Sequence, residues 1–146
     1  MTIEIRVPTA ADWPVICRVD ARAFGNWYTD EDVELARPAH DISRFRVAFD
    51  GEAMVGVAGS YALDVTLPGG TTVPFGGVTW VCVAATHRRQ GIMRRVVEAV
   101  HADIDSRGEP VASLYASEGS IYRHLGYGPA TARRVMTIDA RHARLR

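Results

Sequence analysis

Residues 78–100, VTWVCVAATHRRQGIMRRVVEAV, change hydrophobic period partway along, and this change most constrains the fold. The first part is a β-branched and aromatic run with the composition of a buried strand. The last part places Met93, Val96, Val97, Val100 and Ile104 on one face of an amphipathic helix that ends near Gly108. Between them lies the basic stretch Arg88-Arg89-Gln90-Gly91. A buried strand that turns directly into an amphipathic helix asks for a layered structure in which the helix covers the sheet.

The rest of the chain fits that class. IEIRV alternates apolar and polar residues and reads as a half-buried strand. In TAADWPVICRVDARAF, Thr9 and Asp12 form a capping-box variant ahead of the apolar residues Trp13, Ile16, Cys17 and Phe24. TDEDVELAR reads as a second, short helix that Pro38 ends. FRVAF and AMVGVAGSYALDVTL flank Asp50-Gly51, a strong hairpin signal, and Gly69-Gly70 marks a second turn. After the central helix, PVASLYA reads as a strand. SEGSIYRHLGYG reads as a short helix capped by Ser117 or Ser120 and stopped at Gly126. ARRVMTIDA reads as a last strand. The expected architecture is one α/β domain over residues 1–146, a mixed sheet flanked by helices in the order β-α-α-β-β-β-α-β-α-β.

Composition narrows the partners. With 17 basic and 17 acidic residues the formal charge is zero, so no global field favours nucleic acid or an anionic membrane. No apolar stretch approaches the ~20 residues of a membrane helix, and MTIEIRVP lacks the features of a signal peptide. Cys17 and Cys82 sit in apolar segments and read as buried thiols of a reducing compartment, so a cytoplasmic location is expected. His40, His87, His101, His124 and His142 show no ligand spacing, and no metal is expected. The oligomeric state is left open, a homo-oligomer being compatible with the sequence.

The basic loop has a chemical use if its ligand is a phosphate. The first N–H groups of a helix lack intrahelical partners and sit at the positive end of its dipole, so an anion there collects several hydrogen bonds. Gly91 lets the backbone approach closely, and Arg88 and Arg89 add charge-assisted bonds. The bland alternative is a solvated helix start. Neither a P-loop nor a dinucleotide fingerprint is present.

The segment Arg88-Arg89-Gln90-Gly91-Ile92-Met93 resembles the acetyl-coenzyme A loop of the GCN5-related N-acetyltransferase (GNAT) superfamily, and the element order resembles that fold. Met93 departs from the usual Gly or Ala. PTAADWP, VCVAATHRRQGIMRR and ASEGSIYRHLGYGPAT are similar to the N-terminal domain of the enhanced intracellular survival (Eis) family, whose members acetylate amines, including aminoglycosides. The resemblance implies that the backbone of Val81, Cys82 and Val83 pairs with the pantetheine arm of acetyl-CoA. It implies that Arg89 to Arg94 hold the pyrophosphate and that Ser117 and Glu118 lie near the thiol end. Tyr122 falls on the position of the general acid. By its residues alone Tyr122 also reads as an aromatic anchor, and Tyr127, between two glycines, as structural.

Such chemistry needs an acid and a base. A phenol of pKa ~10 protonating a thiolate of ~8.5 is uphill by roughly 2 kcal/mol, so transfer requires a lowered pKa or a concerted step. An amine of pKa ~10.4 must lose a proton at a cost of about 4.6 kcal/mol at neutral pH. In the Eis family the base is attributed to the C-terminal carboxylate of a longer chain carrying two further regions. The domain is therefore expected to be either the N-terminal part of a longer protein or a short relative with another base, for which Glu118 and His124 are available. In AFGNWYTDEDVE, Phe24, Asn26 and Trp27 are weaker acceptor-pocket candidates for an aminoglycoside-, polyamine- or lysine-like amine, although helix capping by Thr29 and Asp32 accounts for the acids. Two alternatives stay open: a catalytically silent CoA-binding or assembly module, and a nucleotide- or anion-binding domain using the same loop.

Overall fold

The computed structural model describes residues 2–139 and Arg141. Strands β1 (Ile3–Arg6), β2 (Phe45–Asp50), β3 (Ala53–Thr66), β4 (Thr72–Val83) and β5 (Val111–Leu114) form one sheet in sequence order. The first three pairings are antiparallel and β4–β5 is parallel. The mixed sheet follows from the connections: tight turns join β2, β3 and β4, whereas α3 (Ile92–Ser106) crosses from β4 to β5.

Helix α1 (Trp13–Phe24) and the short α2 (Asp30–Ala36) cover one layer, and α3 the other. Strand alternation divides neighbouring residues between the layers, so Val47, Val57 and Cys82 join Trp13, Ile16 and Phe45, while Ala48 and Ala58 join Val96, Val97 and Val100. Each fully buried Val or Ile on α3 stabilises by about 1.5–3 kcal/mol. The helix lies close on β4, because a Cβ at Gly76 would stand 2.6 Å from Ile104 Cγ1. Both expected caps form: the Thr9 N–H donates to Asp12 Oδ2 at 2.7 Å and the Thr29 N–H to Asp32 Oδ2 at 2.8 Å.

Three local expectations are corrected. The core face of α3 begins with Ile92, 1% exposed, rather than Met93, which is only partly buried. Adjacent helical positions differ by about 100° around the axis, so periodicity alone left both on the edge of the stripe. The short helix near Tyr122 is 3-10 over Gly119–Leu125, and its N-cap is Glu118 rather than a serine. Third, residues 132–139 form neither strand nor helix. Val135 and Met136 are neighbours, so in a strand they would face opposite sides and need cover on both; instead Val135, Met136 and Ile138 are 70%, 77% and 69% exposed. Ala140, the end of the expected strand, and His142 lie outside the described residues.

The cysteines are buried free thiols. Burial pushes Cys17 up to about 11 and Cys82 up to about 12. Each has its ordinary value near 8.5 when unfolded, so the unfolded chain releases these protons first as pH rises. Their contribution is intact below that value and lost as pH climbs towards the folded values. The melting temperature is expected to fall between about pH 9 and 11, and Cys17→Ala to flatten that slope in circular-dichroism melts.

Candidate active site

Strands β4 and β5 pair from Phe75↔Val111 to Val78↔Leu114, where β5 ends while β4 continues to Val83. Beyond this point the two chains separate, and β4 keeps its other edge against β3 through Val57↔Cys82 and Gly56↔Val83. The β3–β4 register shifts between Val57 and Gly59, opposite Trp80, which is left-handed at φ +56°. Such a bulge bends the strand and increases its twist, and here it sits where the two chains part. The opening is a cleft of about 570 Å³.

Val81, Cys82 and Val83 form its β4 wall, and Arg88, Arg89, Gly91, Ile92 and Met93 form the end at the start of α3. Ser117, Glu118 and Tyr122 close the far side. Three segments separate in sequence thus meet at one opening. Ala23, Phe24, His87 and Ile121 complete the lining. Of these, sequence reading had singled out only Phe24. Gln90 and Arg94 do not line the cleft: Gln90 is exposed, and Arg94 Nε lies 3.8 Å from Glu98 Oε1 on the outer face of α3. Asn26 and Trp27 are also outside it; Asn26 Nδ2 donates to the Tyr28 hydroxyl at 3.3 Å, and Trp27 is 88% exposed.

The end at the start of α3 is shaped by the backbone. Gly91 caps α3 at φ +74°, and Arg89 is also left-handed at φ +62°. Left-handed residues in such a turn can gather N–H groups into an anion-sized concavity, in addition to the open N–H groups of the first helical turn. A Cβ at Gly91 would meet no protein atom within 4 Å, so glycine is required there by conformation rather than by packing. Gly91→Val is expected to cost about 1–2 kcal/mol of stability through the forced φ, measurable by urea titration. Any ligand held on that turn would bind correspondingly weaker. Arg88 and Arg89 form no ion pair among the described residues, whereas His87 is anchored by Thr86 Oγ1 at 2.8 Å and Asp50 Oδ2 at 3.3 Å.

At the opposite end Tyr122 is 8% exposed, and burial raises its pKa. Tyr122 lines the cleft, and its hydroxyl forms no hydrogen bond among the described residues. Glu118 accepts from Ser120 Oγ at 2.7 Å. On the α1 side, Asp20 is buried, accepts from the Tyr28 hydroxyl at 3.0 Å, and has its pKa raised by burial. Among the described residues no three His, Cys, Asp or Glu side chains converge as metal ligands.

A parallel β4–β5 pair thus ends over the start of α3, inside a mixed sheet flanked by helices, and comparison with known proteins gives the class to which this fold belongs. The acetyltransferase (GNAT) domain model matches residues 4–130, and the chain belongs to that family. It is 38% identical over 148 residues to the N-acetyltransferase Eis of Mycobacterium tuberculosis, covering 99% of this chain and 37% of that protein. It is 40% identical over 146 residues to an uncharacterized N-acetyltransferase of Streptomyces avermitilis, covering 99% and 36%. The crystal structure of Eis1 from Mycobacterium abscessus superimposes with a TM-score of 0.79 at 37% identity, over 89% of this chain and 32% of that one. The chain therefore spans about a third of the length of these relatives. No helix among the described residues is long and apolar enough to cross a membrane.

Proposed function

We propose that this domain transfers an acetyl group from acetyl-CoA to a primary amine, with Tyr122 as general acid. One observation carries the reading: a single cleft joins the start of α3 with Arg88 and Arg89, an open β4 edge and a buried phenol. The N–H groups at Gly91 to Met93, with Arg88 and Arg89, would hold the pyrophosphate. The free backbone of Val81 to Val83 suits an amide-bearing arm, which can add to it as a short strand would. Acetyl-CoA supplies the thioester that the amine attacks, and the proton the amine loses passes to a base, for which Glu118 on the cleft lining is available. Tyr122 gives its proton to the departing sulfur; burial raises its pKa, which favours a transfer concerted with C–S cleavage over a stepwise one.

Gln90 and Arg94 are not among the residues that line the cleft. Of the acceptor-side candidates, Phe24 alone lines the cleft. The names of the relatives, N-acetyltransferase Eis among them, support an amine acceptor; that it is of the aminoglycoside, polyamine or lysine class is part of this proposal. Calorimetric titration with acetyl-CoA tests the first half. Saturable binding competed by free CoA is expected; no heat at millimolar ligand would overturn the reading. Displacement by adenosine nucleotides as effective as by CoA would favour a plain nucleotide site instead.

A further inference from the structure

The acid proposed above sits on weak support. Tyr122 is the one buried residue of its 3-10 helix, and Ile121, Arg123 and His124 beside it are exposed. Short 3-10 segments have poor hydrogen-bond geometry and do little to hold a side chain. What fixes the ring is the chain just beyond. Gly126, at φ +89°, reverses the backbone, and the Tyr127 N–H donates back to the Tyr122 carbonyl at 3.3 Å. The Tyr127 ring then meets the Tyr122 ring edge to face, with centroids 5.9 Å apart at 80°.

Tyr127 is pinned in turn. Its hydroxyl lies 2.7 Å from His101 Nε2 on α3, and the two rings are 5.4 Å apart. Burial lowers the His101 pKa and pushes Tyr127 up to about 12, so at neutral pH the bond joins two uncharged groups. On its far side Tyr127 borders a separate groove of about 270 Å³ that His101 and Leu125 also line. Open space on that side leaves the ring contacts with Tyr122 and His101 and the bond to His101 as the restraints on the ring.

One helix therefore indexes both ends of the cleft. Its first turn faces the anion end, and His101, nine residues on and about 14 Å along the axis, holds the bracket behind Tyr122. We infer that Tyr127, held by His101, is the positioning residue that aims the Tyr122 hydroxyl at the departing sulfur. The inference rests on the reading of Tyr122 as the acid. Neither Tyr127 nor His101 lines the cleft, so the bracket is expected to act on turnover and not on binding.

The test uses Tyr127→Leu, which removes the ring, Tyr127→Phe and His101→Leu, which remove the bond, and His101→Gln, which can remake it. Melting temperatures confirm folding of each. With an aminoglycoside, a polyamine or a lysine peptide as acceptor, Tyr127→Leu is expected to lower kcat roughly tenfold or more, as angstrom-scale misplacement does. The Kd for acetyl-CoA and the acceptor KM should stay within about twofold. Tyr127→Phe and His101→Leu should lose less, His101→Gln should regain part, and Tyr127→Leu should cost nothing further in a Tyr122→Phe background.

If Tyr122→Phe slows turnover while Tyr127→Leu does not, the positioning role is wrong and the acid stands. If Tyr122→Phe leaves turnover unchanged, the acid reading itself fails. A second arm does not depend on turnover: 3-fluorotyrosine labelling, with the Tyr122 signal identified by its loss in Tyr122→Phe. That signal is expected to move towards the free amino acid in Tyr127→Leu and His101→Leu; an unmoved signal overturns the bracket.

Discussion

Tyr122→Phe is expected to lower kcat by about a hundredfold or more, within the range that general acids contribute, while acetyl-CoA binding stays within about twofold. The substitution removes one oxygen and keeps the ring, so the edge contact with Tyr127 and the burial of the residue persist. The hydroxyl has no partner among the described residues, so its removal strands no donor or acceptor and should cost little stability. A loss of rate thus reports the missing proton rather than a disturbed fold. The pH profile adds a separate check. Because burial raises the Tyr122 pKa above its ordinary 10, the phenol stays protonated throughout the neutral range. No fall in kcat from loss of this acid is expected below about pH 10, and any rise with pH belongs to deprotonation of the amine. Steady-state rates of both proteins across pH decide the matter; equal kcat values would remove Tyr122 from the chemistry.

The layers and turns of the fold were legible because each depends on local pattern. The hairpin at Asp50-Gly51, the capping boxes at Thr9 and Thr29, and the stripe Val96, Val97, Val100, Ile104 need only neighbours in sequence. The basic loop before α3 was legible for the same reason, since a helix start, a glycine and its flanking arginines are contiguous. His87, Ala23 and Ile121 were not, because only the folding of α1 and the 3-10 helix against β4 makes them walls of one cleft. The left-handed Trp80 was invisible too: bulky residues rarely adopt φ near +56°, and nothing local predicts it. The expected last strand failed because β-propensity says nothing about whether a covered face is available to receive it. His101 and Tyr127 stand 26 residues apart and meet through tertiary structure alone.

Glu109→Ala is expected to destabilise the fold by about 3–5 kcal/mol, the cost of leaving a buried charge without its partner. Arg44 Nη2 donates to both carboxylate oxygens of Glu109 at 2.9 and 2.6 Å, and the two side chains are 5% and 7% exposed. Arg44 Nε meanwhile donates to the Ser60 carbonyl at 3.2 Å and to Ser60 Oγ at 3.1 Å. One guanidinium thus ties the approach to β2, the middle of β3 and the turn into β5. Beside it Arg46 Nη2 bonds Asp103 Oδ1 at 2.7 Å, and Arg107 Nε bonds Asp103 Oδ2 at 2.7 Å, near the C-terminal end of α3. Removing Glu109 leaves Arg44 buried with only the Ser60 bonds. At roughly 3 °C per kcal/mol for a domain of this size, the melting temperature should drop by about 10–15 °C. The double variant Arg44→Met, Glu109→Leu should recover most of that loss, because it removes both charges and the desolvation they carry. Glu98→Ala serves as the contrast: its pair with Arg94 spans 3.8 Å and both side chains are more than half exposed, so a change within about 0.5 kcal/mol is expected. Thermal melts of the four proteins separate the cases. If Glu109→Ala proved no worse than Glu98→Ala, water would have to reach the Arg44 guanidinium in the native state, and the start of β5 would not depend on this pair.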